Sequence, residues 1–212
     1  MPTPVFIELA GLPAAGKTTT ASLLQEKLTR RGLRCLVVPE AAGRSPLASL
    51  KRNWQFNVWT LCQGVSSVLE HQGRQDKDVV VLDRGLVDAL CWMRWFRMRR
   101  GIEPMLADAV EAFAKVPTWF QAVRLVVVLR VKFETALKRR GQPGRIVNAE
   151  TFEELHRAYS SVTKDLTNRT RQEQPRYLDT DGLSRSQVLD EVLSVFDLHF
   201  PDLANATRGP HT

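Results

Sequence analysis

"GLPAAGKT", Gly11 to Thr18, follows the short apolar run Val5 to Ala10 and opens a stretch with helical spacing. It fills every fixed position of the pattern G-x-x-x-x-G-K-[ST], with a strand expected before it and a helix after it. Glycines let backbone N–H groups turn inward around a β-phosphate, and a helix N-terminus adds positive potential. The pattern therefore predicts a nucleotide-binding loop made of Gly11, Ala14, Ala15, Gly16, Lys17, Thr18 and Thr19. Lys17 is expected to reach the β- and γ-phosphates of ATP, and the Thr18 hydroxyl to sit on Mg²⁺. A chance glycine-rich turn is the alternative, and the flanking elements argue against it.

A phosphate loop gives a nucleotide and a metal but no reaction. ATPases, GTPases, motors and small-molecule kinases all use one. No Asn/Thr-Lys-x-Asp segment is present to read a guanine base. Motors and AAA-type ATPases are set aside, being generally larger and acting through partner domains.

Outward from the loop, apolar runs alternate with helical periods. Strands are expected at Val5–Ala10, Leu33–Val38, Val79–Leu82, Val123–Leu129 and, weakly, Arg176–Leu178. Helices are expected at Gly16–Arg31, Trp54–Glu70, Val87–Arg100, Pro104–Lys115, Phe133–Arg140, Glu150–Asn168 and Ser186–Phe196. Continuous apolar strands alternating with helices predict a parallel sheet covered on both faces, an α/β fold. The chain of 212 residues suits one such domain and leaves no length for a second. Loose tails are expected at 1–3 and 205–212.

The net charge of +7 fits an anionic partner, and arginines gathered around phosphates account for it most simply. Three cysteines without metal-type spacing read as free, buried thiols in a reducing compartment. No apolar run approaches the roughly 20 residues that span a bilayer, so no membrane partner is expected. With no charged and apolar leader at the N-terminus, the expected location is cytoplasmic.

A second decisive stretch is "VVVLDRG", Val79 to Gly85, where an anion and a fixed cation stand together as a buried run ends. Asp83 is expected to hold Mg²⁺ or its water, and Arg84 to hold an anionic acceptor or a reacting hydroxyl near the γ-phosphate. Pairing the two charges with each other limits the cost of desolvating either. A structural ion pair at a strand end is the alternative.

After a phosphate loop, this stretch resembles the Asp-Arg signature of thymidylate kinases and the Glu-Arg-Ser signature of deoxynucleoside kinases. The resemblance runs from about Val5 to about Phe196. It implies a P-loop NTPase fold with a five-stranded parallel sheet, helices on both faces and an arginine-bearing lid at about 138–150. It also implies ATP as donor and a nucleoside or nucleoside monophosphate as acceptor. Arg139, Arg140 and Arg145 lie where such a lid places its arginines, with Gly141 and Gly144 for flexibility; a solvated basic turn is the alternative. In that family the loop after the last strand lies against the adenine, a role that falls on Thr180 to Gly182. Homodimers are common there, which makes a homodimer an expectation that no particular segment specifies.

The two families part at the acceptor. A hydroxyl must lose a proton and benefits from a carboxylate base; a monophosphate needs cations and no base. The loop "VVPEAAGRSP" offers both, Glu40 where deoxynucleoside kinases place a base and Arg44 where thymidylate kinases hold an arginine. Pro13 stands where thymidylate kinases typically carry an acidic residue, and Asp83 where deoxynucleoside kinases typically carry Glu. The leading expectation is a thymidylate-kinase-like transfer of the γ-phosphoryl group to a nucleoside monophosphate. A nucleoside or small-metabolite hydroxyl kinase with Glu40 as base is the alternative. A non-catalytic ATP-binding regulator is the alternative of another class.

Four of the five tryptophans lie in Trp54–Trp59 and Trp92–Trp95, on the acceptor side. Trp54 and Trp59 are expected to stack on a base, with Gln55, Asn57 and Gln63 reading its edges; core packing is the bland reading of each aromatic. The basic run "RWFRMRRG", Arg94 to Gly101, reads first as a solvated helix face, and nucleic acid is not an expected partner.

Overall fold

The computed structural model describes residues 3–51, 53–140, 148–169 and 175–205. Its centre is a five-stranded parallel sheet in the order β2-β3-β1-β4-β5. The strands are β1 (Val5–Gly11), β2 (Cys35–Val38), β3 (Val79–Asp83), β4 (Val123–Arg130) and β5 (Arg176–Asp179). The three central strands carry the long apolar runs because helices cover both of their faces. Val79 to Asp83 is buried without interruption, whereas the edge strands β2 and β5 are only partly covered.

Helices α1 (Lys17–Arg30) and α8 (Arg185–His199) pack on one face. On the other face lie α2 (Trp54–Gln72), α3 (Leu86–Met98), α4 (Pro104–Ala114) and α7 (Ala149–Arg169). The remaining helices are α5 (Pro117–Phe120), α6 (Phe133–Arg140) and α9 (Pro201–Ala204). One apolar core joins the layers through Ile7, Leu9, Leu24, Leu28, Val81, Val127, Phe152 and Phe196, none more than 2% exposed. Each such side chain contributes roughly 1.5–3 kcal/mol by leaving water. Among the described residues no helix is long and apolar enough to cross a membrane.

The expected alternation is found, with ends shifted by a few residues. β2 starts at Cys35 rather than Leu33, because the α1 terminus extends past its last helical residue: Gly32 takes φ +86° and Leu33 N–H donates to the Leu28 carbonyl. The loop after β2 holds two 3₁₀ turns, Ala41–Arg44 and Ala48–Leu50. Single turns of this kind are too short to show a hydrophobic period.

The register sets up the site. Leu9 of β1 lies beside Asp83 of β3, and Gly11 beside Leu129 of β4. The C-terminal ends of the three central strands therefore open at one place.

Candidate active site

The phosphate loop begins where β1 ends. Gly11 has φ +136°, and a Cβ there would lie 2.1 Å from the Leu129 carbonyl oxygen, so only glycine fits against β4. Gly16 has φ +100° at the start of α1. A cavity of about 460 Å³ lies over Ala14, Ala15, Gly16, Lys17, Thr18 and Thr19. Gly11 does not line it; its part is the turn. Lys17 is 5% exposed and its Nζ donates to the carbonyls of Gly11 at 2.8 Å and Leu12 at 2.7 Å. Burial, helped by the nearby Arg84 cation, holds its pKa below the usual lysine range.

Thr18 Oγ1 donates to Asp83 Oδ2 at 2.6 Å, while Asp83 Oδ1 is buried without a hydrogen-bond partner. Burial raises the Asp83 pKa, and the Thr18 hydrogen bond only partly offsets it. A hydroxyl and a carboxylate side by side, with one carboxylate oxygen unspent, fit a divalent cation with oxygen ligands. Among the described residues no cluster of three or more His, Cys, Asp or Glu forms another metal site.

Arg84 departs from the expected pairing with Asp83. Its Nη1 donates to Asp88 Oδ2 at 2.8 Å, and its Nε lies 2.9 Å from Glu40 Oε1. The reason is local: Arg84 takes φ +66°, its N–H donates to the Leu9 carbonyl, and the chain then enters α3, bringing Asp88 four residues on beneath the guanidinium. Burial alone would lower the Arg84 pKa, but Asp88 and Glu40 raise it above the ordinary value.

A second cavity of about 140 Å³ lies between the loop after β2, α2 and α3. One face of α2 lines it through Phe56, Asn57, Thr60, Gln63 and Gly64, and α3 contributes Asp88, Ala89, Trp92 and Phe96. Glu40, Arg44 and Lys51 stand around it. Of the residues expected at the acceptor, Arg44, Asn57, Gln63 and Arg84 line this cavity, but Trp54, Gln55 and Trp59 do not. Gln55 and Trp59 are four apart and each stands about 100° round α2 from Phe56 and Thr60, outside the cavity lining. Trp54 packs instead on the cluster of Met93, Phe96, Ile102 and Ala107. Asn57 is buried and its side-chain amide donates to the Ala89 carbonyl at 2.9 Å, so it holds α2 to α3.

Glu40 and Arg84 line both cavities, so the two adjoin at this ion pair. Arg139 closes the other side of the phosphate cavity. It donates to Thr180 Oγ1 at 2.8 Å and to the Thr180 carbonyl at 2.5 Å, and its Nη1 lies 3.3 Å from the Ala14 carbonyl. Arg140 ends α6, and Arg145 lies outside the described residues. Thr180 is fully buried and Gly182, at φ +72°, is exposed; neither lines either cavity. Leu183 and Arg185, just beyond, line the phosphate cavity in their place.

Three site-forming residues escaped the sequence reading. Glu8, inside β1, is fully buried and accepts from the N–H groups of Gly85, Val87 and Asp88 at 3.1, 3.0 and 2.7 Å, capping α3 from another element. Burial raises its pKa to about 7. The other two are Asp88 and Tyr159, joined by a hydrogen bond from the Tyr159 hydroxyl. A charge inside an apolar strand, such as Glu8 between Ile7 and Leu9, is the one signal that could have been found.

A family described as AAA domain matches residues 6–173. This label is the one that chain size and the use of partner domains argue against, while the phosphate-loop architecture is as expected. No curated protein matches the chain. Among solved structures, a deoxyadenosine kinase from M. mycoides with bound dCTP is similar at TM-score 0.69 and 16% identity. That match covers 92% of this chain and 100% of the other. The same enzyme with the products dCMP and a flexible dCDP is similar at TM-score 0.70 and 16% identity, with the same coverage. With bound dATP the TM-score is 0.67 at 16% identity, over 91% of this chain and 99% of the other. At this identity the likeness is one of fold.

Proposed function

The chain belongs to the AAA domain family, and from that premise we propose that it is an ATP- and Mg²⁺-dependent kinase of a nucleoside hydroxyl. The observation that carries the reading is the junction of the two cavities at Glu40 and Arg84. The phosphate loop holds ATP on one side, the acceptor lies between α2 and α3 on the other, and transfer takes place between them. The similar structures are of an enzyme titled deoxyadenosine kinase, which is consistent with a nucleoside in the second cavity.

In this reading Lys17 and the loop amides hold the phosphates, and Thr18 and Asp83 hold Mg²⁺. When bound, the ion would neutralise phosphate charge. Glu40 accepts the proton of the attacking hydroxyl as general base. Arg84 orients Glu40 and stabilises charge on the transferred group. Arg139, with Arg140 and Arg145 of the lid, closes over the donor, and residues 1–212 act as one unit.

A nucleoside monophosphate acceptor, the leading expectation from sequence, keeps one specific support: Arg44 and Lys51 bring further positive charge to the acceptor cavity. An ATP-consumption screen over nucleosides and their monophosphates separates the two. The hydroxyl reading expects turnover of a nucleoside that falls about 10²–10⁴-fold in Glu40→Gln. Turnover of monophosphates alone, untouched by Glu40→Gln, selects the other acceptor. ATP binding without any turnover would leave a regulator and refute both.

A further inference from the structure

Beneath the junction, one buried carboxylate touches three elements at once. Asp88 of α3 is 3% exposed. Its Oδ2 accepts from Arg84 Nη1 at 2.8 Å, and its Oδ1 accepts from Gly11 N–H at 3.1 Å and from Tyr159 O–H at 2.6 Å. Gly11 is the first residue of the phosphate loop, and Tyr159 lies on α7, 1% exposed. Asp88 is itself fixed from below, because its N–H donates to Glu8 Oε1 at 2.7 Å. We propose that Asp88 is a positioning residue that sets the Arg84 guanidinium in register with the phosphate loop. This inference rests on the kinase reading above and assigns a role to a residue outside its catalytic list.

The physical case starts with Arg84. Its side chain is long, and its backbone is held in the left-handed region, where a non-glycine residue persists only if its surroundings fix it. Its other anion, Glu40, is 37% exposed and stands in the loop after β2. A partly solvated partner on a loop fixes a guanidinium poorly. Asp88 is the rigid partner: buried, on a helix, and tied by its second oxygen to the loop that grips the donor. The charge of Arg84 and the backbone of Gly11 are thus referred to the same two oxygens. Phosphoryl transfer is governed by alignment and electrostatics, and an error of about 1 Å costs about 10²-fold in rate. Burial pushes the Asp88 carboxyl pKa up, but Arg84, Lys17 and the Tyr159 hydrogen bond outweigh it and hold it below the ordinary value. Asp88 therefore faces Arg84 as an anion.

The test is a double-mutant cycle on the full chain with Asp88→Asn, Arg84→Met and the pair. Asparagine that keeps its oxygen for Gly11 and Tyr159 turns its N–H₂ toward Arg84, replacing an anionic acceptor with a donor. Expected is a loss in kcat of about 10²-fold for Asp88→Asn, with the affinity for a fluorescent ATP analogue changed less than about threefold. In the Arg84→Met background the same change should cost less than about threefold more, because the two act through one contact. Independent losses that multiply would mean a structural role and overturn the proposal. Tyr159→Phe removes only a hydroxyl and keeps the cycle readable if Asp88→Asn does not fold. Its expected loss of a few-fold must also vanish without Arg84, and persistence there overturns the proposal. If the wild type phosphorylates no acceptor in the screen, the kinase reading fails on its own account. Crystals of Asp88→Asn then decide the inference: a displaced Arg84 guanidinium supports it, and an unmoved one ends it.

Discussion

Thr18 Oγ1 and Asp83 Oδ2 lie 2.6 Å apart although 65 positions separate them in the chain. One residue starts the helix after β1 and the other ends β3. The contact exists because the parallel register sets Leu9 beside Asp83, so the loop leaving β1 passes over the end of β3. The same register leaves Asp83 Oδ1 buried and unspent, the feature on which the metal assignment stands.

The first prediction concerns that pair. Thr18→Ala and Asp83→Asn should each raise the Mg²⁺ concentration for half-maximal activity by about 10–100-fold. Asp83→Asn should leave the melting temperature unchanged or higher, since burial already disfavours the ionised form. Titrating activity with Mg²⁺, and melting both variants without it, checks the two parts; an unchanged Mg²⁺ requirement refutes the assignment.

Glu8 predicts a pH dependence of stability. Its pKa in the folded chain is about 7, against an ordinary value of 4.5. The folded state therefore holds this proton more tightly than the unfolded one. The associated stability is complete below about pH 4.5 and disappears as pH rises through 7, a loss of up to about 3 kcal/mol. Urea midpoints from pH 4.5 to 7.5 measure it. Glu8→Gln should flatten the slope in this window while lowering stability by about 1–3 kcal/mol, since an amide N–H₂ then faces one of the three N–H donors. A variant that retains the wild-type slope would show that another group titrates.

Two glycines separate close approach from open space. Gly11→Ala sets a Cβ 2.1 Å from the Leu129 carbonyl at a positive φ, whereas Gly73, at the end of α2, has nothing within 4 Å. Gly11→Ala should cost several kcal/mol or abolish the folded state, and Gly73→Ala should stay within about 0.5 kcal/mol of wild type. Chemical denaturation of both is the measurement.

The faces of α2 make a prediction for the acceptor. Gln63→Ala and Trp92→Ala should raise the acceptor KM by about tenfold or more, and Trp59→Ala should leave it within about twofold. Steady-state kinetics on the three variants decide it, and an effect confined to Trp59 would move the site round α2 to the edge that carries Trp59.

The layered fold was legible in the sequence because both of its signals are local. Continuous apolar runs such as Val79–Leu82 can be buried on both sides only in a parallel sheet, and the phosphate pattern is contiguous, so Gly11 to Thr19 announce themselves. The acceptor side was legible in part. The charge types at Glu40 and Arg84 could be read, but Arg84 was paired with its neighbour in sequence rather than with Asp88, and the stacking role went to Trp54 and Trp59 although α2 turns Phe56, Thr60 and Gln63 inward.

What the chain alone determined is therefore the class of fold and the donor loop, each written in consecutive residues. Only the tertiary structure decided that Glu8 of β1 caps α3, that Asp88 joins Gly11, Arg84 and Tyr159, and that Glu40 and Arg84 stand between two cavities. Those relations span up to 148 positions between Gly11 and Tyr159. They depend on strand register and helix rotation, where a shift of one residue turns a side chain away from the site, and no local spacing records either.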